Sequence, residues 1–198
     1  MTLLINPLTN LVRYFAVASA LLIATESMAV VGKNAPAPPK STAPIAKVIK
    51  PQAATIEWLT IEEAAKRNKT NPRKILVDVY TDWCGWCKKM DKTTFANPEV
   101  AEYVNKNFYA VKFNAEGTEN IIFNNKVYKY NKGKEVHDLA VNLLKGQMGY
   151  PTVAYLNEKL ELIMPIPGYF NAQDYQKVLS YINDGQYKKQ PLDKYLGK

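Results

Sequence analysis

The sequence is poor in the residues that most often bind metal ions. Its 198 residues include two cysteines, Cys84 and Cys87, and one histidine, His137. A structural zinc ion takes four ligands, most often from cysteine and histidine, so this scarcity argues against a zinc site. We predict that the protein holds neither a metal ion nor an organic cofactor.

Long hydrophobic runs are also lacking. The apolar run near the N-terminus, residues 14–24, is shorter than the roughly 20 residues that span a bilayer as a helix. Arg13 precedes it, and Ser27 and Ala29 place small residues where a signal peptidase cleaves. The pattern predicts a signal peptide over residues 1–29 and export to the periplasm or another extracytoplasmic compartment. An uncleaved membrane anchor is the alternative, because the segment before the run is long and carries one cationic side chain.

Acidic residues are missing from residues 30–54, a stretch rich in proline, alanine and lysine. This composition is typical of a semi-extended linker, so we predict that a folded domain occupies residues 55–198. Half of the formal net charge of +8 lies in the linker, and the rest is spread among acidic residues without a recognition motif. Nucleic-acid binding is therefore not expected.

The two cysteines lie three residues apart in W-C-G-W-C-K-K-M, residues 83–90. Residues 74–80 form an apolar run that predicts a strand buried on both faces, and the cysteine pair then opens a helix that extends to about Phe95. A cysteine in the first turn of a helix faces unpaired backbone N–H groups and the positive end of the dipole, which lowers the pKa of its thiol. Cys84 is therefore predicted to attack a disulfide, and the more buried Cys87 to resolve the mixed disulfide.

The cysteine pair also has two alternative interpretations. A structural disulfide is one, although closing so short a loop constrains the unfolded chain little. A chance spacing is the second. Redox chemistry is the interpretation we favour, because it accounts for both the spacing of the cysteines and their position at the start of a helix.

The rest of the domain alternates between short strands and helices. Thr60 and Glu63 have the spacing of a capping box, and Asn97 followed by Pro98 predicts another helix start. The alternation predicts an α/β fold in which helices flank a mixed sheet. The predicted strands are 56–59, 74–80, 108–114, a hairpin over 121–130 turning at Asn124-Asn125, 152–156 and 160–166. The predicted helices are 60–69, 84–95, 98–107, 135–145 and 171–183.

The sequence around the cysteines resembles the active-site segment of the thioredoxin superfamily, and further matches follow in order. Asp78 lies where thioredoxins have a buried acid, and Lys112 lies where they have the accompanying lysine. Residues 146–152 resemble the loop that carries the cis-proline, which makes Pro151 the candidate. The resemblance covers about residues 56–185 and implies a thioredoxin fold, with a central mixed sheet flanked by helices.

Within the superfamily, residues 94–104 are most similar to exported thioredoxin-like domains that receive electrons from a membrane reductase. The C-terminal domain of the disulfide reductase DsbD is an example. The resemblance implies protein disulfides as substrates and a membrane or thioredoxin-type electron donor. Two departures matter. Trp86 replaces the proline or histidine of the best-known motifs, so the reduction potentials of proteins with those motifs do not predict that of this protein. A hairpin and a helix at about 117–145 are inserted before the cis-proline loop.

The matched acid has a physical role of its own. A carboxylate inside an apolar strand is costly unless it is paired or protonated. Asp78 is therefore expected to have a raised pKa and to exchange a proton with Cys87. A structural ion pair with Lys112 is the alternative.

Five residues are candidates for substrate binding. A cis Tyr150–Pro151 bond, followed by Thr152, would present backbone groups to an extended substrate segment, although an ordinary proline at a strand start is the alternative. Trp83 and Trp86 are interpreted as an apolar collar around the cysteines, with core packing as the alternative.

Three more polar residues are given no main role. Lys88 and Lys89 are interpreted as solvent-facing, although they could assist the thiolate. His137 is interpreted as a surface or helix-flank residue without a catalytic role.

Together these features predict an exported thiol–disulfide oxidoreductase that reduces protein disulfides. Its catalytic residues are Cys84, Cys87, Asp78 and Lys112. A disulfide isomerase or oxidase using the same site is one alternative. A binding or chaperone-like module in which the cysteine pair is incidental is another.

Overall fold

The computed structural model describes residues 53–197. The predicted signal peptide at 1–29 and nearly all of the predicted linker at 30–54 lie outside these residues and stay predictions. Within residues 53–197, no helix is long and apolar enough to cross a membrane.

The described chain alternates strands and helices, as predicted. The strands are β1 (Trp58–Leu59), β2 (Lys74–Tyr80), β3 (Phe108–Asn114), β4 (Ile121–Phe123), β5 (Lys126–Tyr128), β6 (Tyr130–Asn131), β7 (Val136–His137), β8 (Thr152–Leu156) and β9 (Leu162–Pro167). The α-helices are α1 (Ile61–Asn68), α2 (Gly85–Met90), α3 (Pro98–Asn107), α4 (Asp138–Leu143), α5 (Ala172–Asn183) and α6 (Leu192–Leu196). A π-helical segment, Asp91–Phe95, continues α2.

Five strands form the central sheet, in the order β1-β3-β2-β8-β9. Strands β1, β3 and β2 run parallel, whereas β8 is antiparallel to both β2 and β9. The apolar run in β2 puts this strand at the centre, because its side chains pack on both faces. Ile75 and Val77 lie in one core cluster and Leu76 lies in the other.

Two predicted helix starts are confirmed in atomic detail. The Thr60 hydroxyl accepts a hydrogen bond from the Glu63 N–H (3.2 Å), and the Glu63 carboxylate accepts one from the Thr60 N–H (2.9 Å). This capping box satisfies backbone donors that the first turn of α1 leaves unpaired. Asn97 caps α3 with its side chain alone, by accepting from the N–H groups of Glu99 and Val100.

The inserted segment contains the predicted hairpin but a shorter helix. Strands β4 and β5 pair antiparallel around Asn124 and Asn125, whose φ angles of 50° and 59° are those of a tight hairpin turn. The helix predicted over 135–145 begins at Asp138, because Glu135 has a φ of 51° and the two following residues pair with β6.

His137 lies inside the protein, so the prediction of a surface position is wrong, whereas the helix-flank position is confirmed. Its Nδ1 accepts a hydrogen bond from the Leu139 N–H (3.1 Å), which makes His137 the N-cap of α4. Its Nε2 lies 3.0 Å from the Glu119 carbonyl, and its ring packs edge-on against Phe113. A neutral imidazole with the proton on Nε2 satisfies both hydrogen bonds.

The C-terminal end holds elements that were not predicted. Strand β9 begins at Leu162 rather than 160, because Leu160 has a φ of 63° and lies in the turn. After α5, a 3₁₀ turn and α6 pack their tyrosines against Tyr181 of α5, whose hydroxyl donates to the Gln190 carbonyl (2.8 Å). Their short lengths gave no periodic signal.

Candidate active site

The two cysteines form a disulfide at the start of α2. Their Cα atoms are 5.3 Å apart. Strand β2 ends at Tyr80, and the Cys84 N–H then donates to the Thr81 carbonyl (3.2 Å) to close the turn into the helix. Cys84 is the N-cap of α2, and its sulfur accepts a hydrogen bond from the Cys87 N–H (3.1 Å). A thiolate on Cys84 would receive this N–H at the positive end of the helix.

The two cysteines are almost equally buried in this oxidised state. Cys84 is 4% exposed and Cys87 is 2% exposed. The expected greater burial of Cys87 is therefore slight in this state. The two cysteines differ instead in their position relative to α2: Cys84 is the N-cap residue before the helix, whereas Cys87 lies inside the helix.

Asp78 is buried at the centre of the sheet, where β2 lies between Lys112 of β3 and Val153 of β8. Its Oδ2 accepts a hydrogen bond from the Lys112 ammonium (2.6 Å), whereas its Oδ1 has no partner among the described residues. Burial raises the pKa of Asp78 to about 6, against the opposing effect of Lys112. The sequence predicts a raised pKa of Asp78, with an ion pair to Lys112 as the alternative. The structure has the ion pair, and burial still raises the pKa of Asp78.

Lys112 connects the buried Asp78 to a second carboxylate, Asp91, in the π-helical segment. Burial disfavours the charged ammonium, but the two carboxylates together raise the pKa of Lys112 above its usual value. Because the Asp91 side chain is 41% exposed, the cluster reaches from the core to solvent. The ammonium also lies over three aromatic rings, those of Trp58, Tyr80 and Phe95.

Trp83 and Trp86 lie on the surface beside the disulfide, with 67% and 56% of their surface exposed. The indole N–H of Trp83 donates to the Glu116 carboxylate (2.8 Å), and its ring packs edge-on against Tyr150. The Trp86 ring packs against Tyr169, at a centroid distance of 5.4 Å. Neither tryptophan packs in the core, and both add exposed aromatic surface next to the cysteines in the chain.

The Tyr150–Pro151 peptide bond is cis. The Pro151 carbonyl accepts a hydrogen bond from the Gly168 N–H (2.8 Å), which ties the loop to the end of β9. A groove of about 390 Å³ runs beside this loop. It is lined by Trp86, Tyr150, Pro151, Gly168 and Tyr169.

Thr152 does not line this groove. Its side chain is buried, and its hydroxyl donates to the Gly149 carbonyl (2.7 Å). The Thr152 side chain thus holds the cis-proline loop, and a contact between substrate and the Thr152 backbone stays a prediction.

Two residues of the site were missed in the sequence. Asp91 carries a detectable signal, because it lies four residues after Cys87 and therefore about one turn further along the helix predicted over 84–95. Tyr169 carries none, since only the fold brings the end of β9 beside Trp86. Within residues 53–197, no group of three or more His, Cys, Asp or Glu side chains could hold a metal ion.

Comparison with known proteins agrees with this architecture. The family profile of the thioredoxin-like domain matches residues 61–183. The chain therefore belongs to the thioredoxin-like domain family, and its sheet flanked by helices is a thioredoxin fold. This confirms the fold predicted from the cysteine motif and the residues that follow it.

Individual relatives are distant. A thioredoxin-fold protein from Helicobacter pylori is similar with a TM-score of 0.51 at 20% identity, covering 64% of this chain and 84% of that one. The reduced C-terminal domain of Neisseria meningitidis DsbD matches with a TM-score of 0.39 at 24% identity, covering 62% and 96%. An uncharacterised Caenorhabditis elegans protein is 29% identical over 129 residues, which are 64% of this chain. The chain spans 16% of the length of that curated relative.

Proposed function

We propose that this protein is an exported thiol–disulfide oxidoreductase that reduces disulfides in other proteins. The observation that carries the proposal is the Cys84–Cys87 disulfide at the start of α2, in a domain of the thioredoxin-like family. A purely structural role for this disulfide would not explain the features that surround it. These features are the buried Asp78–Lys112 pair and the groove beside the cis-proline loop.

In the first step, the reduced Cys84 thiolate attacks one sulfur of a substrate disulfide. The substrate S–S bond breaks, the leaving substrate thiolate takes up a proton, and a mixed disulfide joins Cys84 to the substrate. The Cys87 N–H hydrogen bond and the helix end favour the thiolate form of Cys84, which is the nucleophile.

In the second step, Cys87 loses its thiol proton and attacks the Cys84 sulfur. The mixed disulfide breaks, the second substrate thiolate leaves and takes up a proton, and the Cys84–Cys87 disulfide forms. The substrate gains two electrons and two protons, and the cysteine pair loses two electrons. Asp78 is the proton acceptor in this proposal, because a pKa of about 6 leaves much of it ionised at neutral pH. A membrane or thioredoxin-type dithiol would then return the two electrons.

The groove supports docking of an extended protein segment. Among the described residues, the backbone N–H and C=O of Tyr150 have no hydrogen-bond partner, so both are free to pair with a substrate strand. The exposed ring of Trp86 lines the groove and supplies an apolar contact, and the exposed ring of Trp83 packs against Tyr150, another lining residue.

The reduction potential is expected to lie nearer that of thioredoxin, about −270 mV, than that of DsbA, about −120 mV. Strong oxidants stabilise their reduced thiolate with polar or cationic groups between the cysteines, whereas Gly85 and Trp86 supply neither a charge nor a side-chain proton acceptor. In this proposal the Asp78 carboxylate accepts the Cys87 proton, and a carboxylate that close to the sulfurs further disfavours negative charge on them. Equilibration with glutathione buffers, followed by alkylation of free thiols, measures the potential. A pair that is mostly reduced at about −180 mV would make the protein an oxidant.

The exported protein is expected to begin near Val30. This proposal rests on the short apolar run at 14–24 and the small residues at Ser27 and Ala29. N-terminal sequencing of protein from the extracytoplasmic fraction tests it. Recovery of an intact residue 1–29 segment in the membrane fraction would instead establish an anchor.

A further inference from the structure

One cation beside the cysteines is held in place by aromatic rings. The Lys89 ammonium lies 4.6 Å from the centroid of the Trp86 ring and 5.0 Å from that of Tyr169. The two rings pack against each other, and the Tyr169 hydroxyl lies 3.1 Å from the Thr93 hydroxyl one turn along the helix. The ammonium therefore has a defined position, unlike that of an ordinary surface lysine.

Lys89 has no carboxylate partner among the described residues, in contrast to Lys112, which has two. The Trp86 and Tyr169 rings hold the ammonium group in position, and no carboxylate of the described residues neutralises its charge. A cation that is already held in position loses less conformational entropy when an anion binds to it than a freely rotating lysine does.

This cation lies at the edge of the substrate groove. Trp86 and Tyr169, which hold Lys89, are also two of the residues that line the groove beside Pro151. Trp86 lies between the two cysteines in the sequence. A segment that occupies the groove during exchange therefore passes close to the Lys89 ammonium.

Acidic side chains lie beside the other tryptophan, Trp83. Glu116 accepts the indole hydrogen bond of Trp83, and Asp82 accepts one from the Asn114 amide (3.1 Å). The surface near the disulfide thus carries a cation beside Trp86 and a carboxylate beside Trp83. Such an asymmetry selects partners of complementary charge.

We propose, building on the disulfide reductase function above, that Lys89 is a specificity-determining residue. It favours protein disulfides in which an acidic side chain lies within a residue or two of the cysteine that docks against Trp86. The aromatic contacts of Trp86 and Tyr169 position the ammonium for that carboxylate. An exposed ion pair of this kind favours the acidic substrate by up to about fivefold in kcat/KM at low salt.

Two peptide disulfides that differ only by Glu or Gln beside the reacting cysteine test the proposal. The reduced wild-type protein is expected to reduce the Glu peptide several-fold faster at low salt, with a smaller difference at high salt. Lys89→Gln is expected to lose this preference. Lys88→Gln is the matched control, because the neighbouring lysine carries the same charge but has no aromatic contact among the described residues, and this variant is expected to keep it.

The outcomes separate the two proposals. Equal rates for the two peptides in the wild type, or a preference that survives in Lys89→Gln, would overturn the role of Lys89 and leave the reductase function standing. An equal loss of preference in Lys88→Gln would also overturn it, because general surface charge would then explain the effect. Reduction of neither peptide would overturn both proposals.

Discussion

Replacing Cys84 with serine is expected to reduce disulfide turnover by at least about a thousandfold, because a hydroxyl does not supply the thiolate nucleophile. Replacing Cys87 with serine is expected to give a different result. Cys84 would still attack, but the mixed disulfide would have no resolving thiol and would accumulate with the substrate attached. Single-turnover assays with a peptide disulfide, followed by mass analysis of the protein, measure both effects.

The comparison also separates the candidate functions. A binding or chaperone-like module would keep its partners in both variants and would show no mixed disulfide. Adducts found on Cys87 in the Cys84→Ser protein, at a rate like that of the wild type, would reverse the assigned roles. Because both side chains are buried, the folded state of each variant is checked by circular dichroism before its rate is interpreted.

The sheet and most helices could be predicted because their signals are local. The run at 74–80 becomes the central strand β2 with the same bounds, and Thr60 and Asn97 cap the helices they were expected to cap. The Asn124-Asn125 turn was readable for the same reason, since asparagine tolerates a positive φ. Each of these features depends on residues close together in the chain.

What could not be predicted depends on contacts between distant segments. The burial of His137 follows from Phe113 and from the Glu119 carbonyl that the fold brings to it. The contact between Lys89 and Tyr169 joins residues that are 80 positions apart in the sequence. No sequence pattern around either residue indicates that they meet.

The free energy of unfolding of the oxidised Asp78→Asn variant, relative to that of the wild type, is expected to increase as the pH rises. In the folded state, burial raises the pKa of Asp78 from 3.8 to about 6, so the folded protein binds this proton more tightly than the unfolded chain. The stability that protonated Asp78 contributes is fully present below about pH 4 and is lost as the pH rises through about 6. This loss amounts to about 3 kcal/mol in the free energy of unfolding, and the asparagine variant does not undergo it.

Urea denaturation of the oxidised wild type and of Asp78→Asn between pH 4 and pH 8 measures this difference. A difference that does not change with pH would mean that Asp78 is ionised throughout that range. Lys112→Met sharpens the test. Lys112 is the group that lowers the pKa of Asp78, so its removal is expected to move the transition to higher pH.

The same Asp78→Asn variant separates a proton-transfer role from a purely structural one. Asparagine fills the same space but cannot accept the Cys87 proton, so resolution of a preformed mixed disulfide on Cys84 is expected to slow between pH 6 and pH 8. The slowing should be smallest at the acid end, where more of the wild-type Asp78 is already protonated and equally unable to accept. Single-turnover release of the substrate thiol measures this rate. Rates equal to those of the wild type throughout, together with the stability change above, would leave Asp78 a buried acid without a part in the exchange.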